Sequence, residues 1–149
     1  MSQEETLKQQ LMQRLRLPED KIKITRPRRI SCEIDYSRFA EAIKVIAGDL
    51  KFVVLCAITG LDEGELLSVI YHLGQENGTV LNLKTSVDKN NPVIQTVTLI
   101  FPSAEVYERE LVDLLGFVVE GLPEGHRYPL TDDWPLDEHP LRKDWKQKD

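Results

Sequence analysis

Apolar positions change their spacing several times along this chain, and each change predicts an element. Leu7, Leu11 and Leu15 recur four apart among Lys, Gln and Arg, giving one apolar stripe on a polar helix that Pro18 closes. Spacing then drops to two over residues 22–25 and 30–34, which predicts a hairpin. Phe39, Ile43, Ile46 and Leu50 restore helical spacing, with Asp35 or Ser37 as the cap and Gly48 as the stop. Residues 52–59 are β-branched and apolar, 60–64 carry turn chemistry, and 65–73 predict a second strand. Residues 66–71 alone also fit a helix; the turn chemistry of Gln75-Glu76-Asn77-Gly78 and the clear alternation over 80–87 decide for strand. A loop at 88–92 leads into a further alternating segment, 93–101. The fold class is therefore α+β, a two-layer domain over residues 1–120. Its mixed or antiparallel sheet has about five strands and carries helices on one face.

Helical spacing returns once more before the chain changes character. Pro102 and Ser103 start a helix, Gly116 stops it, and Tyr107, Leu111, Leu114 and Leu115 share a side that belongs to the core. Glu105, Arg109 and Asp113 stand four apart and predict a charged ladder along the opposite surface. Exposed pairs of this kind contribute only about 0.3–0.5 kcal/mol each. A solvated helix face is the plain explanation. At an interface the same charges would select the partner, because an unpaired buried charge is strongly destabilising. From Gly121 the composition shifts: Pro123, Pro129, Pro135 and Pro140 are half of the chain's 8 prolines, so residues 121–149 are expected to form an extended, irregular tail. It is not a hydrophilic linker. Leu122, Tyr128, Leu130, Trp134, Leu136, Leu141 and Trp145 must either fold back or dock on a neighbour, since left in water they would form an apolar patch.

Composition narrows the function classes. A chain of 149 residues suits one domain, and its longest apolar runs fall far short of the roughly 20 residues that cross a bilayer. The polar, acidic start lacks the pattern of a secretory signal, so the protein is expected to stay in the cytoplasm. Cys32 and Cys56 sit in apolar, strand-like segments without Cys-x-x-Cys spacing, and are expected to be buried free thiols. The net charge of -6 disfavours nucleic acid. Lys21, Lys23, Arg26, Arg28 and Arg29 form one basic patch, either a solvated hairpin or a docking surface for an acidic neighbour. There is no P-loop and no dinucleotide fingerprint. His126, Asp132, Asp133, Asp137, Glu138 and His139 are the residue types of a divalent-metal hydrolase. Their spacing matches no ligand signature, and a proline-rich loop positions ligands poorly.

Two segments are more specific. Tyr107-Glu108-Arg109-Glu110-Leu111-Val112-Asp113-Leu114-Leu115-Gly116 is followed by His139-Pro140-Leu141-Arg142-Lys143-Asp144-Trp145. Together with Tyr71-His72-Leu73 at the end of a strand, they make residues 52–145 resemble the 30 kDa subunit family of NADH:quinone oxidoreductase (respiratory complex I), which also has members in energy-converting nickel-iron hydrogenases. The resemblance implies a cofactor-free, non-catalytic subunit in the peripheral arm of a membrane-associated redox complex. Such a subunit holds together the large catalytic-type subunit and the iron-sulfur subunits, which carry the clusters and the nickel-iron or flavin groups. It would reach the inner face of the membrane only through the complex. Glu108, Arg109, Glu110, Asp113, Gly116, Trp134, His139, Pro140, Leu141, Arg142, Lys143, Asp144 and Trp145 become signature residues with docking roles. Leu114-Leu115-Gly116 and Gly121-Leu122-Pro123-Glu124-Gly125 depart from the respiratory pattern, and Thr131-Asp132-Asp133-Trp134-Pro135 is more similar to the hydrogenase branch. Both branches stay open, and a free-standing protein-binding module remains the alternative.

Overall fold

The computed structural model describes residues 1–148. Three α-helices, α1 (Gln3–Leu15), α2 (Phe39–Gly48) and α3 (Ala104–Glu110), accompany seven strands. These are β1 (Ile22–Arg26), β2 (Arg29–Glu33), β3 (Val54–Asp62), β4 (Leu66–Gly74), β5 (Val80–Asp88), β6 (Val93–Gln95) and β7 (Val118–Glu120). Five strands form one sheet in the order β1-β2-β5-β4-β3, and β6 pairs with β7 in a second. The main sheet is mixed, since β1 and β2 run antiparallel while β2 and β5 run parallel with Ile30 opposite Leu81 and Cys32 opposite Leu83. The class is α+β, as the spacing predicts.

The chain divides into two compact units. The first comprises Met1–Ala57 and Ile70–Thr85. Its helix α1 begins at Ser2, whose hydroxyl accepts from the Glu5 N–H at 3.1 Å, and ends at Arg16 in the left-handed conformation. The stripe of Leu7, Leu11 and Leu15 is buried, and α1 packs on β1, β2 and α2. Every second residue of β2 and β5 points inward, so Ile30, Cys32, Leu81 and Leu83 are buried. Phe39 at the start of α2 meets Tyr71 of β4 with ring centroids 4.8 Å apart. Cys32 is buried as expected, and burial pushes its thiol pKa up to about 12. Cys56 is exposed, contrary to expectation: it lies on β3, where the apolar composition that suggested a buried strand does not hold for every position.

The second unit comprises Ile58–Val69 and the chain from Ser86 onward. Here the structure corrects four local expectations. Strand β3 runs through Gly60 to Asp62, and the turn shrinks to residues 63–65. Gly60 is needed for packing instead, because a Cβ there would collide with Leu111 and Leu115 side chains. The alternating stretch 93–101 is a strand only to Gln95, after which the backbone turns. Strand β7 is too short for a periodicity to reveal, and pairs parallel with β6 from Val93 opposite Val118 to Gln95 opposite Glu120. Finally, the helix after Ser103 is α-helical only to Glu110 and continues as a π-helical turn, Leu111–Leu115. No helix among the described residues is long and apolar enough to cross a membrane.

Candidate functional site

The π-helical turn organises the second unit. A helix end leaves its last carbonyls without intrahelical partners. At this end three consecutive carbonyls are taken by the second sequence motif. His139 Nδ1 lies 3.0 Å from the Asp113 carbonyl, the Leu141 N–H donates to Leu114 O at 2.9 Å, and Arg142 Nε donates to Leu115 O at 2.6 Å. Gly116 makes the approach possible. Its φ is +78°, and a Cβ would stand 2.6 Å from His139 Cδ2 and 2.8 Å from Arg142 Nη2. The two motifs, separated by a tail of irregular sequence, are thus halves of one clasp.

Beyond the clasp, Lys143 and Asp144 reach an acid that sequence reasoning missed. Asp62, at the end of β3, accepts from the Lys143 N–H at 2.8 Å, from Lys89 Nζ at 2.8 Å and from the Gly64 N–H at 2.9 Å. Lys89 also stands 3.4 Å from Asp144. Burial alone would raise the Asp62 pKa, but these three donors outweigh it and hold the carboxyl well below the usual range. The same pairing raises Lys89. The turn chemistry of 60–64 marked Asp62 only as a loop residue; its Asx turn onto Gly64 was the available signal.

The charged helix residues separate into two groups. Glu108 is 0% exposed, accepting from Thr96 Oγ1 at 2.5 Å and the Val97 N–H at 2.9 Å; desolvation raises its pKa while these two bonds lower it, with a net rise. Asp113 is also buried, 3.2 Å from the Leu130 N–H and 3.5 Å from Arg127 Nε. The expected ladder on an open surface is therefore interrupted: Arg109 meets Glu105 at 2.8 Å, but the π-helical turn rotates Asp113 inward. Arg109 also donates to the Pro123 carbonyl, tying down the start of the tail. Glu110 is half-buried.

In the last segment, Trp134 and Trp145 lie 6.0 Å apart, centroid to centroid, and are joined through Glu138: Trp134 Nε1 donates to its carbonyl at 2.8 Å and Trp145 Nε1 to its carboxylate at 3.3 Å. Pro140 is half-buried. Leu141, Leu136 and Val118 keep 57%, 82% and 51% of their surface exposed. Among the described residues no three of His, Cys, Asp or Glu come together as a metal-holding group, so His126, Asp132, Asp133, Asp137, Glu138 and His139 are not gathered into one. The clasp offers hydrogen bonds and apolar side chains.

Both the sequence and the fold have known relatives. Residues 32–149 match the family described as "Respiratory-chain NADH dehydrogenase, 30 Kd subunit". The chain is 33% identical over 126 residues to a subunit of the F(420)H(2) dehydrogenase of Methanosarcina mazei, covering 83% of this chain and 79% of that protein. It is 40% identical over 95 residues to formate hydrogenlyase subunit 5 of Escherichia coli, covering 60% of this chain but 17% of that protein. Among solved structures, a chain in the membrane-bound sulfane sulfur reductase, an archaeal respiratory membrane complex, superposes with a TM-score of 0.82 at 26% identity, covering 97% of this chain and 86% of that one. The trypsin-resistant fragment of Nqo5 superposes with a TM-score of 0.67 at 26% identity, covering 83% of this chain and 100% of the fragment.

Proposed function

Because the chain belongs to the family of the respiratory-chain NADH dehydrogenase 30 Kd subunit, we propose that it is a cofactor-free subunit in the peripheral arm of a membrane-associated redox complex. In this reading it docks a large catalytic-type subunit and iron-sulfur subunits, and it meets the inner face of the membrane only through them. The observation that carries the proposal is the superposition of nearly the whole chain, 97% of it, on a chain of an archaeal respiratory membrane complex.

The relatives add two arguments. Their names refer to different reactions, those of F(420)H(2), formate, NADH with quinone, and sulfane sulfur. A part common to complexes with such different substrates does not carry chemistry specific to any one of them. Second, the counterpart of this chain is only a fraction of formate hydrogenlyase subunit 5, 17% of its length. Segments joined in one polypeptide in one organism are expected to touch when they are separate chains in another, which supports docking to a large subunit.

The clasp supplies the surface. Glu108, Asp113, Gly116, His139 and Arg142 act inside the unit, fixing the π-helical turn against the tail. Glu110, Pro140, Leu141, Lys143, Asp144, Trp134 and Trp145 line the parts presented to partners, while Arg109, whose side chain is only 13% exposed, ties α3 to the tail through Glu105 and Pro123. Purification of the tagged native protein from mildly solubilised membranes, with mass spectrometry and with nickel and iron analysis, tests the proposal. Co-purifying iron-sulfur subunits are the expected result, with stoichiometric nickel marking a hydrogenase and a flavin subunit marking a respiratory enzyme. A lone protein would point to a free-standing binding module and overturn the assignment.

A further inference from the structure

The turn between β6 and α3 buries its two flanks and holds one leucine out. Val97 and Phe101 are 3% and 4% exposed, whereas Leu99 between them is 94% exposed. The turn is not loose. The N–H groups of Ile100 and Phe101 both donate to Val97 O, at 3.0 and 2.8 Å, and the Thr98 N–H donates to Thr96 Oγ1 at 3.1 Å. Beneath it, the buried Glu108 carboxylate takes the Thr96 hydroxyl and the Val97 N–H. Ile100 and, on α3, Val106 add partly exposed apolar surface at 36% and 51%.

The formal charge of the unit that carries the turn is one-sided. The unit that carries Leu99 has 7 Lys and Arg against 16 Asp and Glu, while the other unit has 12 against 9, so their formal charges are -9 and +3. We propose that Leu99 is an apolar anchor, held in position by Glu108, that seats in an apolar pocket rimmed by Lys or Arg on a partner subunit of the same complex. This rests on the docking role proposed above and adds a second element to it, apart from the clasp. An ordered turn loses little further conformational entropy when its apex is buried by a partner, which favours tight seating. The charge decides what kind of partner fits. A unit of formal charge -9 attracts a basic partner and opposes a second copy of itself.

The test compares the wild-type chain with Leu99→Asp and Leu99→Met, each tagged and expressed in the native cell. Leu99→Asp should lower the recovery of co-purified complex subunits at least tenfold, while Leu99→Met stays near wild type and both variants melt within a degree or two of wild type. Recovery of the wild-type chain's partners should also fall as salt is raised during purification. Full recovery with Leu99→Asp would overturn the anchor and leave the subunit assignment standing. A large loss of melting temperature would overturn it too, by making Leu99 a part of the fold. If the isolated wild-type chain is a dimer that Leu99→Asp turns into a monomer, the occupant is a second copy and the proposal fails. Absence of redox subunits from the wild-type preparation would overturn both this inference and the assignment beneath it.

Discussion

The imidazole of His139 lies 3.0 Å from the carbonyl oxygen of Asp113, a residue 26 positions earlier in the chain. This contact explains why the two most specific motifs in the sequence occur together. The π-helical turn exposes carbonyls that need partners, and the His-Pro-Leu-Arg segment delivers three donors to three successive residues. Neither half is complete alone.

The clasp depends on a missing side chain at Gly116. Replacing it with alanine places a Cβ at a left-handed φ, which costs about 1–2 kcal/mol in backbone strain, and pushes that Cβ against His139 and Arg142. Gly116→Ala should therefore lower the urea midpoint and speed hydrogen exchange at the Leu141 amide, whose N–H caps Leu114. A wild-type midpoint with unchanged exchange would show that the close approach is not needed.

Asp62 and Glu108 should respond to acid in opposite directions. Burial pushes the Asp62 carboxyl up, but its hydrogen bonds hold it below its ordinary 3.8. The folded state therefore favours the ionised form, and the stability this gives is present above about pH 4 and lost as pH falls through the folded value. Asp62→Asn should be less stable than wild type at pH 7, with a gap that narrows below pH 4. Thermal melts from pH 7 to pH 3 give the comparison, and a gap that is constant with pH would remove Asp62 from the account.

Glu108 has its pKa raised above 4.5, chiefly by desolvation. Its folded state favours the protonated form, so its contribution to stability is full below the ordinary value and falls away as pH rises through the folded one. Wild type should gain on Glu108→Gln as the pH falls from 7 through the folded value toward the ordinary 4.5. Glu108→Ala goes further, since it leaves the buried Val97 N–H without its acceptor, a loss of about 1–3 kcal/mol. Melts of the three proteins across that range decide the matter; parallel curves for wild type and Glu108→Gln would show that Glu108 does not titrate there.

How much of this was legible depended on the range of the interaction. The stripe of Leu7, Leu11 and Leu15, the alternation of Ile30 with Cys32 and of Leu81 with Leu83, and the stop at Gly48 follow from neighbours in sequence, and all appear in the structure. Features set by distant residues did not show. Gly60 looks like a turn residue but is small because Leu111 and Leu115 press on it. The strand signal at 93–101 continues past Gln95, yet Glu108 draws Val97 away from the ladder. Asp113 has surface spacing for a regular α-helix, and one π-helical turn sends it inward. The motifs marked where the site lies, while Asp62, which accepts three hydrogen bonds there, carried only the local signal of an Asx turn onto Gly64.

Adjacent residues of the second motif should separate fold from docking. Leu141 contributes its backbone N–H to the clasp, a bond that any non-proline residue retains, while its side chain is 57% exposed. Leu141→Glu should leave stability within about 0.5 kcal/mol of wild type yet reduce the recovery of partner subunits. Arg142 does the reverse: its guanidinium caps Leu115 O at 2.6 Å, so Arg142→Ala removes a charge-assisted bond of about 1.5–3 kcal/mol. Its defect should appear first in the melting of the isolated chain, and partner recovery should improve when the purification is run cold. Urea melts and partner recovery measured side by side distinguish the two. Equal loss of stability in both variants would mean that the segment serves the fold alone, and that docking belongs to other surfaces of the chain.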